Sequence, residues 1–321
     1  MLSLNSWIPL QLVADWIYSF NVVVEKEALA RHKVPRAMML FSVALVTLPF
    51  ALAGLPLLFS AGLLAASIAL LVGALYILSG WAYYQALSTG SPFLVSLAFQ
   101  SGPLFTLAFS AGLIGERLDS SQYIMFCAFL VAGSWATLVE ASVKKQVTQD
   151  TIEDGVVGTQ APSRRGSDGY HTFRWAVAGA ALSALSSTLT NWLLLHGYNS
   201  LDAFLVSRPG VVIMTLLLIG WIGTRSSVAT LWRGRKQPEV LLMVLGVQVL
   251  RLGSRYLTIA ATKQVGSASL TSALSSVDPL YVWVLSSLFK QERGPSSARV
   301  RAARFGCVAI IIVATLYSAI T

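Results

Sequence analysis

Residues 86–122 read ALSTGSPFLVSLAFQSGPLFTLAFSAGLIGERLDSSQ, and residues 262–298 read TKQVGSASLTSALSSVDPLYVWVLSSLFKQERGPSSA. Shifting the first stretch by 176 positions lays Gly90-Ser91 on Gly266-Ser267, Ser96 on Ser272, Pro103 on Pro279 and Glu116-Arg117 on Glu292-Arg293. The same shift sets Asp15-Trp16 opposite Asn191-Trp192. A chain that repeats itself across long apolar stretches follows the pattern of a duplicated transporter rather than of a soluble enzyme.

Composition agrees. Of 321 residues 55% are hydrophobic and only 12% charged, and the mean hydropathy is +0.68. Soluble domains carry roughly a quarter charged residues, so the charge a water-facing surface needs is missing here. A bilayer removes that need. The formal net charge of +9 would suggest nucleic acid in a soluble protein, but here the basic residues lie in short segments between apolar runs. That is how topology signals look, so no nucleic-acid partner is expected. Cys127 and Cys307 sit inside apolar runs and read as packing residues. The N-terminal run lacks a basic leader and contains Asp15, which makes it a first span rather than a cleaved signal.

Ten spans can be drawn, at about 7–25, 37–58, 62–85, 91–114, 119–140, 173–196, 201–222, 239–262, 267–290 and 299–319. Each holds close to the ~20 residues that cross a bilayer core of about 30 Å. The expected fold class is an all-α membrane protein of ten transmembrane helices in two inverted five-helix repeats. Its parts are a first repeat over 1–141, a flexible linker over 142–172 and a second repeat over 173–321. Within the linker, 146–169 is polar and rich in Gly, Thr, Ser, Asp and Glu, a composition that cannot build a packed core. Five spans is an odd number, so the second repeat enters the membrane in the opposite sense, the arrangement that permits alternating access.

Basic residues crowd one side. The segments 26–36, 141–174, 223–238 and 290–304 hold most of the 23 Lys and Arg, whereas the other side offers Arg117 and Lys263. The positive-inside rule then places the crowded side in the cytoplasm and both termini outside. Plasma membrane is the favoured location.

The two quoted stretches resemble the fourth-span signature of the drug/metabolite transporter superfamily, in its EamA-like branch. That signature is a Ser- and Ala-rich helix with a Pro near its middle, followed by a Gly-Glu-Arg-like turn. Pro103 and Pro279 match the Pro, and Glu116-Arg117 and Glu292-Arg293 match the turn. The second turn departs from the pattern, with Lys290-Gln291 before Glu292. The resemblance covers nearly the whole chain apart from 146–169. It implies a ten-span carrier or exporter with a central cavity lined by both halves, handling amino acids, drugs, sugars, nucleotide sugars or phosphorylated metabolites. It also implies cytosolic termini, against the count of basic residues.

Charges inside hydrocarbon are costly and usually face a cavity or one another. The first half holds Asp15, and the second holds Arg208, Arg251, Arg255 and Asp278. Arg251 and Arg255 are one helical turn apart on one face, where two guanidinium groups could clamp a carboxylate or phosphate. Alternatively they pair with Asp15 and Asp278 in a structural network. Three arginines against two acids lean towards an anionic or zwitterionic substrate, although Arg208 could instead snorkel to a mouth. Asp278-Pro279 is the counterpart of Gly102-Pro103. Each Pro removes a donor and loosens the helix before it, so Pro103 and Pro279 are candidate gates, or static kinks. Ser275 and Ser276 would add hydroxyls beside Asp278. Asp15, opposite neutral Asn191, is a candidate proton carrier unless an arginine holds it ionised. Trp16 and Trp192 could form opposite cavity walls, or face lipid.

The expected function is a secondary transporter of a small polar metabolite, anionic or zwitterionic, working by alternating access. Expected partners are that small molecule, membrane lipids and, as a candidate co-substrate, protons, with the protein a monomer or homodimer. The competing readings are an exporter of aromatic or amphipathic amines, and a membrane scaffold or lipid-handling protein. No catalytic base accompanies the serines. The sequence has neither a phosphate-cradling Gly-Lys-Ser/Thr motif nor metal-ligand spacing, so neither an enzyme nor a cofactor is expected.

Overall fold

A computed structural model describes residues 6–90, 92–117, 165–221 and 238–289, with isolated positions at 120, 123, 124, 127, 131 and 306. These form helices α1 (Trp7–Ala30), α2 (Arg36–Ser60), α3 (Leu63–Thr89), α4 (Pro92–Ala98), α5 (Gly102–Phe109), α6 (Arg165–Leu195), α7 (Ser200–Trp221), α8 (Pro238–Val265), α9 (Ala268–Leu274) and α10 (Asp278–Leu288). Short 3-10 turns, Phe99–Ser101 and Ser275–Val277, join α4 to α5 and α9 to α10, and a π turn, Ser110–Ile114, closes α5. Among the described residues every regular element is helical. Apart from those isolated positions, the spans read at 119–140 and 299–319 lie outside the described residues, as do the Glu292-Arg293 turn and linker residues 142–164.

Six of these helices are long and apolar enough to cross a membrane, and a shorter apolar stretch, Phe99–Ile114, lies between the third and fourth of them. Large side chains that a water-soluble protein would hide point outward, Leu63 at 87% exposure and Phe59 and Trp221 at 81% each. Such a surface is stable in hydrocarbon and not in water. The chain is a multi-pass membrane protein.

Helix ends shift modestly from the sequence reading. α1 continues to Ala30, so Lys26 belongs to the helix, as Glu25 does, and not to the segment after it. Lys26 bends back to donate to the carbonyls of Leu87 and Gly90, each at 2.8 Å, and satisfies the C-terminal end of α3. α6 begins at Arg165, inside the stretch read as linker. Its early turns are anchored by a 2.8 Å hydrogen bond between the hydroxyls of Thr172 and Thr89.

The 176-residue shift holds in the later helices. It carries Pro92–Ala98 onto Ala268–Leu274 and the turn Phe99–Ser101 onto Ser275–Val277. The cause is the shared proline. Pro103 and Pro279 have no N–H for the carbonyl one turn back. The residue before each proline supplies a donor instead, Gly102 N–H to Phe99 O and Asp278 N–H to Ser275 O, which tightens the turn to 3-10. The shift fails in the first two helices of each half. Asp15 sits in the interior of α1, whereas Asn191 lies within the last turns of α6. The reason is loop length: α2 and α3 are joined by Ala61-Gly62, but α7 and α8 are separated by residues 222–237. The extra residues there reset the register, so Asp15-Trp16 and Asn191-Trp192 are not equivalent places.

The helix contacts are reciprocal. α1 packs on α8 as α6 packs on α3, α10 lies against α1 as α5 lies against α6, and α2 meets α7. Small residues set the close approaches. A side chain at Gly210 would come within 2.2 Å of Leu70 O, and one at Gly73 within 2.3 Å of Ser207 O, so α3 and α7 touch backbone to backbone. Hydroxyls cross the α3–α6 contact, Ser79 to Gly179 O at 2.8 Å and Ser186 to Val72 O at 3.1 Å.

Candidate functional site

Where α1, α3, α6, α8 and the two broken helices converge they line a partly open cavity of about 200 Å³. Its lining includes Asp15, Pro103, Arg251, Arg255, Ser275 and Asp278 from the sequence candidates. It also includes Gln11, Tyr18, Tyr76, Tyr83, Tyr84, Ser187 and Thr190, which the sequence did not mark as site residues. Arg208, Asn191, Trp16 and Trp192 are not in the lining.

Arg251 is an ion-pair residue. Its Nη1 lies 3.1 Å from Glu25 Oε1 and also donates to the Tyr84 hydroxyl. Tyr84 donates in turn to Glu25 at 3.0 Å, and Gln248 Nε2 approaches the same carboxylate at 3.5 Å. The guanidinium is 5.2 Å and 5.3 Å from the ring centres of Tyr83 and Tyr84, a cation–π seat that further fixes it. Glu25 is fully buried. It went unread because it stands beside Lys26 where the apolar run appears to end. With it, the deep charges among the described residues number three arginines and three carboxylates, so the cationic excess inferred from sequence is not there.

Arg255 is different. Nη1 donates to Ser187 Oγ at 3.2 Å, and Nη2 to Ser186 Oγ at 3.4 Å and Thr190 Oγ1 at 3.3 Å. Its guanidinium lies 5.8 Å from the Tyr76 ring centre. No acidic side chain pairs with it among the described residues, and its buried Nε has no acceptor. Neutral hydroxyls hold the fork in place and leave the charge uncompensated.

Across the lining, Asp15 accepts from Gln11 Nε2 at 2.6 Å and from Ser275 Oγ at 3.0 Å. Gln11 Nε2 also donates to Ser275 Oγ at 2.9 Å, and Ser19 Oγ donates to the Asp278 carbonyl at 3.3 Å. Asp15 and Asp278 are near enough to interact electrostatically. Among the described residues neither pairs with an arginine or lysine. Side-chain oxygens of both, Asp15 Oδ2 and Asp278 Oδ1, are buried with no hydrogen-bond donor. The α1 wall is thus acidic, and the wall between α6 and α8 basic.

The remaining candidates take other places. Arg208 is fully buried, donating from Nε to Phe204 O at 2.9 Å and from Nη2 to Ser207 Oγ at 3.2 Å. It lies 4.2 Å over the Phe204 ring and reaches neither cavity nor surface, so it does not snorkel. Trp16 is 51% exposed on the outer face of α1, stacked on Phe20. Trp192 stacks on His196 at 3.7 Å near the end of α6, so the two indoles are not opposite cavity walls. Asn191 is buried with neither amide atom partnered. The side chain of Ser276 lies outside the described residues. Pro279 is buried in the first turn of α10. Among the described residues no three His, Cys, Asp or Glu gather as a metal site.

No family model matches the sequence, and no curated protein matches it. A solved structure described only as "Crystal structure of protein" is similar over the whole chain, with a TM-score of 0.62 at 16% identity. The match covers 96% of this chain and 97% of that one. At that identity the likeness is one of fold alone.

Proposed function

We propose that this chain is a secondary transporter of a small metabolite bearing a carboxylate or phosphate, anionic or zwitterionic. It would work by alternating access between two inverted five-helix repeats of the EamA-like drug/metabolite transporter kind. The observation that carries this reading is Arg255, a guanidinium in the cavity wall held only by hydroxyls. Arginine presents a fork that matches a carboxylate or phosphate in two parallel hydrogen bonds. A cavity of about 200 Å³ is smaller than the roughly 300–1,000 Å³ of drug-sized sites, which favours a small metabolite. The reciprocal helix contacts and the matched breaks before Pro103 and Pro279 supply paired elements that could swap conformation. Plasma membrane is the proposed location.

Two other readings fare less well. A scaffold would fill its centre and pair its charges, yet Arg255, Asp15 and Asp278 have no ion partner among the described residues. An exporter of aromatic amines gains from the acidic wall but loses Trp16 and Trp192, which stand off the cavity.

Thermal unfolding of the purified protein against a panel of carboxylates, phosphates and amines tests the reading. A ligand at 100 times its Kd stabilises by about 2.7 kcal/mol. Carboxylates or phosphates should raise the midpoint of the wild type and not of Arg255→Gln. Stabilisation by amines alone would give the site to the amine reading.

A further inference from the structure

We propose that the acidic wall of the cavity is a binding site for an alkali-metal cation, sodium, formed by Gln11 and Asp15 of α1 with Ser275 and Asp278 at the break before α10. The inference rests on the transporter reading for its purpose but not for its chemistry. Three buried side-chain oxygens lack a hydrogen-bond donor: Gln11 Oε1, Asp15 Oδ2 and Asp278 Oδ1. Gln11 and Asp15 are 1% and 3% exposed, and all three residues line the cavity. With Asp15 ionised the amide orientation of Gln11 is fixed, since Nε2 is the atom that donates to Asp15 Oδ1 and to Ser275 Oγ. That leaves Oε1 as an acceptor with nothing to accept. Ser275 Oγ supplies a fourth oxygen.

Buried acceptors of this kind cost free energy unless a hydrogen-bond donor or a cation meets them. A single proton would serve at most one carboxylate pair and leave the amide oxygen unserved. These oxygens are closed to water, so an ammonium tethered to a carbon skeleton does not reach them, whereas a bare alkali ion is smaller than water. Hard cations prefer oxygen donors. Among the described residues no third acidic or imidazole group joins the two carboxylates.

The charge count points the same way. Among the described residues Arg208, Arg251 and Arg255 balance Asp15, Glu25 and Asp278, so a combined cargo close to neutral leaves no net buried charge. A monoanion at Arg255 together with one monovalent cation at Asp15 and Asp278 meets that condition. The cation would also tie α1 of the first half to the broken helix of the second, the two elements that must move relative to one another.

The test is binding of radiolabelled sodium to the purified, detergent-solubilised full-length protein at fixed pH, with no organic substrate present. Saturable binding is expected, displaced by unlabelled sodium chloride but not by choline chloride. Asp15→Asn and Asp278→Asn should each weaken it at least about tenfold, and Arg255→Gln should leave it intact. Size-exclusion profiles identify variants that have not folded, and Asp278→Asn perturbs fewer hydrogen bonds than Asp15→Asn. Absence of saturable binding to the folded wild type would overturn the proposal. So would unchanged binding in both folded aspartate variants, or displacement by methylammonium as effective as by sodium. Because no metabolite is used, sodium binding can fail while anion transport stands, and the reverse.

Discussion

Glu25 on α1 and Arg251 on α8 meet at 3.1 Å inside the protein, with the Tyr84 hydroxyl of α3 bonded to both. Three helices are joined by one buried charge pair. Removing one partner of such a pair strands the other charge and typically costs about 3–5 kcal/mol, whereas an apolar replacement of both can be nearly neutral. Glu25→Gln and Arg251→Met should therefore each lower the thermal midpoint in detergent sharply, and the double variant should recover much of the loss. Additive losses would mean that the pair is not coupled.

Gly210 sets how closely α7 approaches α3, since a Cβ there would fall 2.2 Å from Leu70 O. Backbone cannot yield as a flexible side chain can, so Gly210→Ala should destabilise by about 1–3 kcal/mol through overpacking. Gly80, with nothing within 4 Å, is the control, and Gly80→Ala should be neutral. Equal unfolding midpoints for the two variants would contradict the close α3–α7 contact.

Trp16 stacks on Phe20 and is half exposed on the outer face of α1. Exposed substitutions away from special features usually stay within about 0.5 kcal/mol. Trp16→Leu should accordingly leave ligand affinity within about twofold of wild type, measured by titration of any ligand found in the thermal panel. A tenfold loss would return Trp16 to the cavity wall.

Much of the frame was legible because membrane helices are marked by length and hydropathy, which need no tertiary information. The breaks at 99–101 and 275–277 were legible for a local reason, the missing N–H of Pro103 and Pro279. Asp15, Arg251, Arg255, Ser275 and Asp278 were found because charge and hydroxyl in an apolar run are conspicuous, and one cavity gathers them. Glu25 was missed because burial depends on where α1 ends, and Lys26 beside it looked like the start of a loop. Trp16 and Trp192 were misplaced for a different reason. Gln11, Asp15 and Ser19 mark the buried side of α1, and Trp16 falls off it; a repeat register valid from α3 onward was extended into α1 and α6. The hydroxyl seat of Arg255 on Ser186, Ser187 and Thr190 is a tertiary contact, whereas the sequence shows only a helix rich in small residues.

The central claim is that an anion crosses the membrane by way of Arg255, and counterflow in proteoliposomes tests it most directly. Vesicles are preloaded with each member of a panel of small carboxylates, zwitterions and phosphorylated metabolites, and uptake of trace label of the same compound is followed. The account predicts saturable accumulation for at least one anionic or zwitterionic compound. That accumulation should fall by about tenfold or more in folded Arg255→Gln, matching the loss of charge-assisted hydrogen bonds. Equal counterflow in wild type and Arg255→Gln, or counterflow of amines alone, would contradict it.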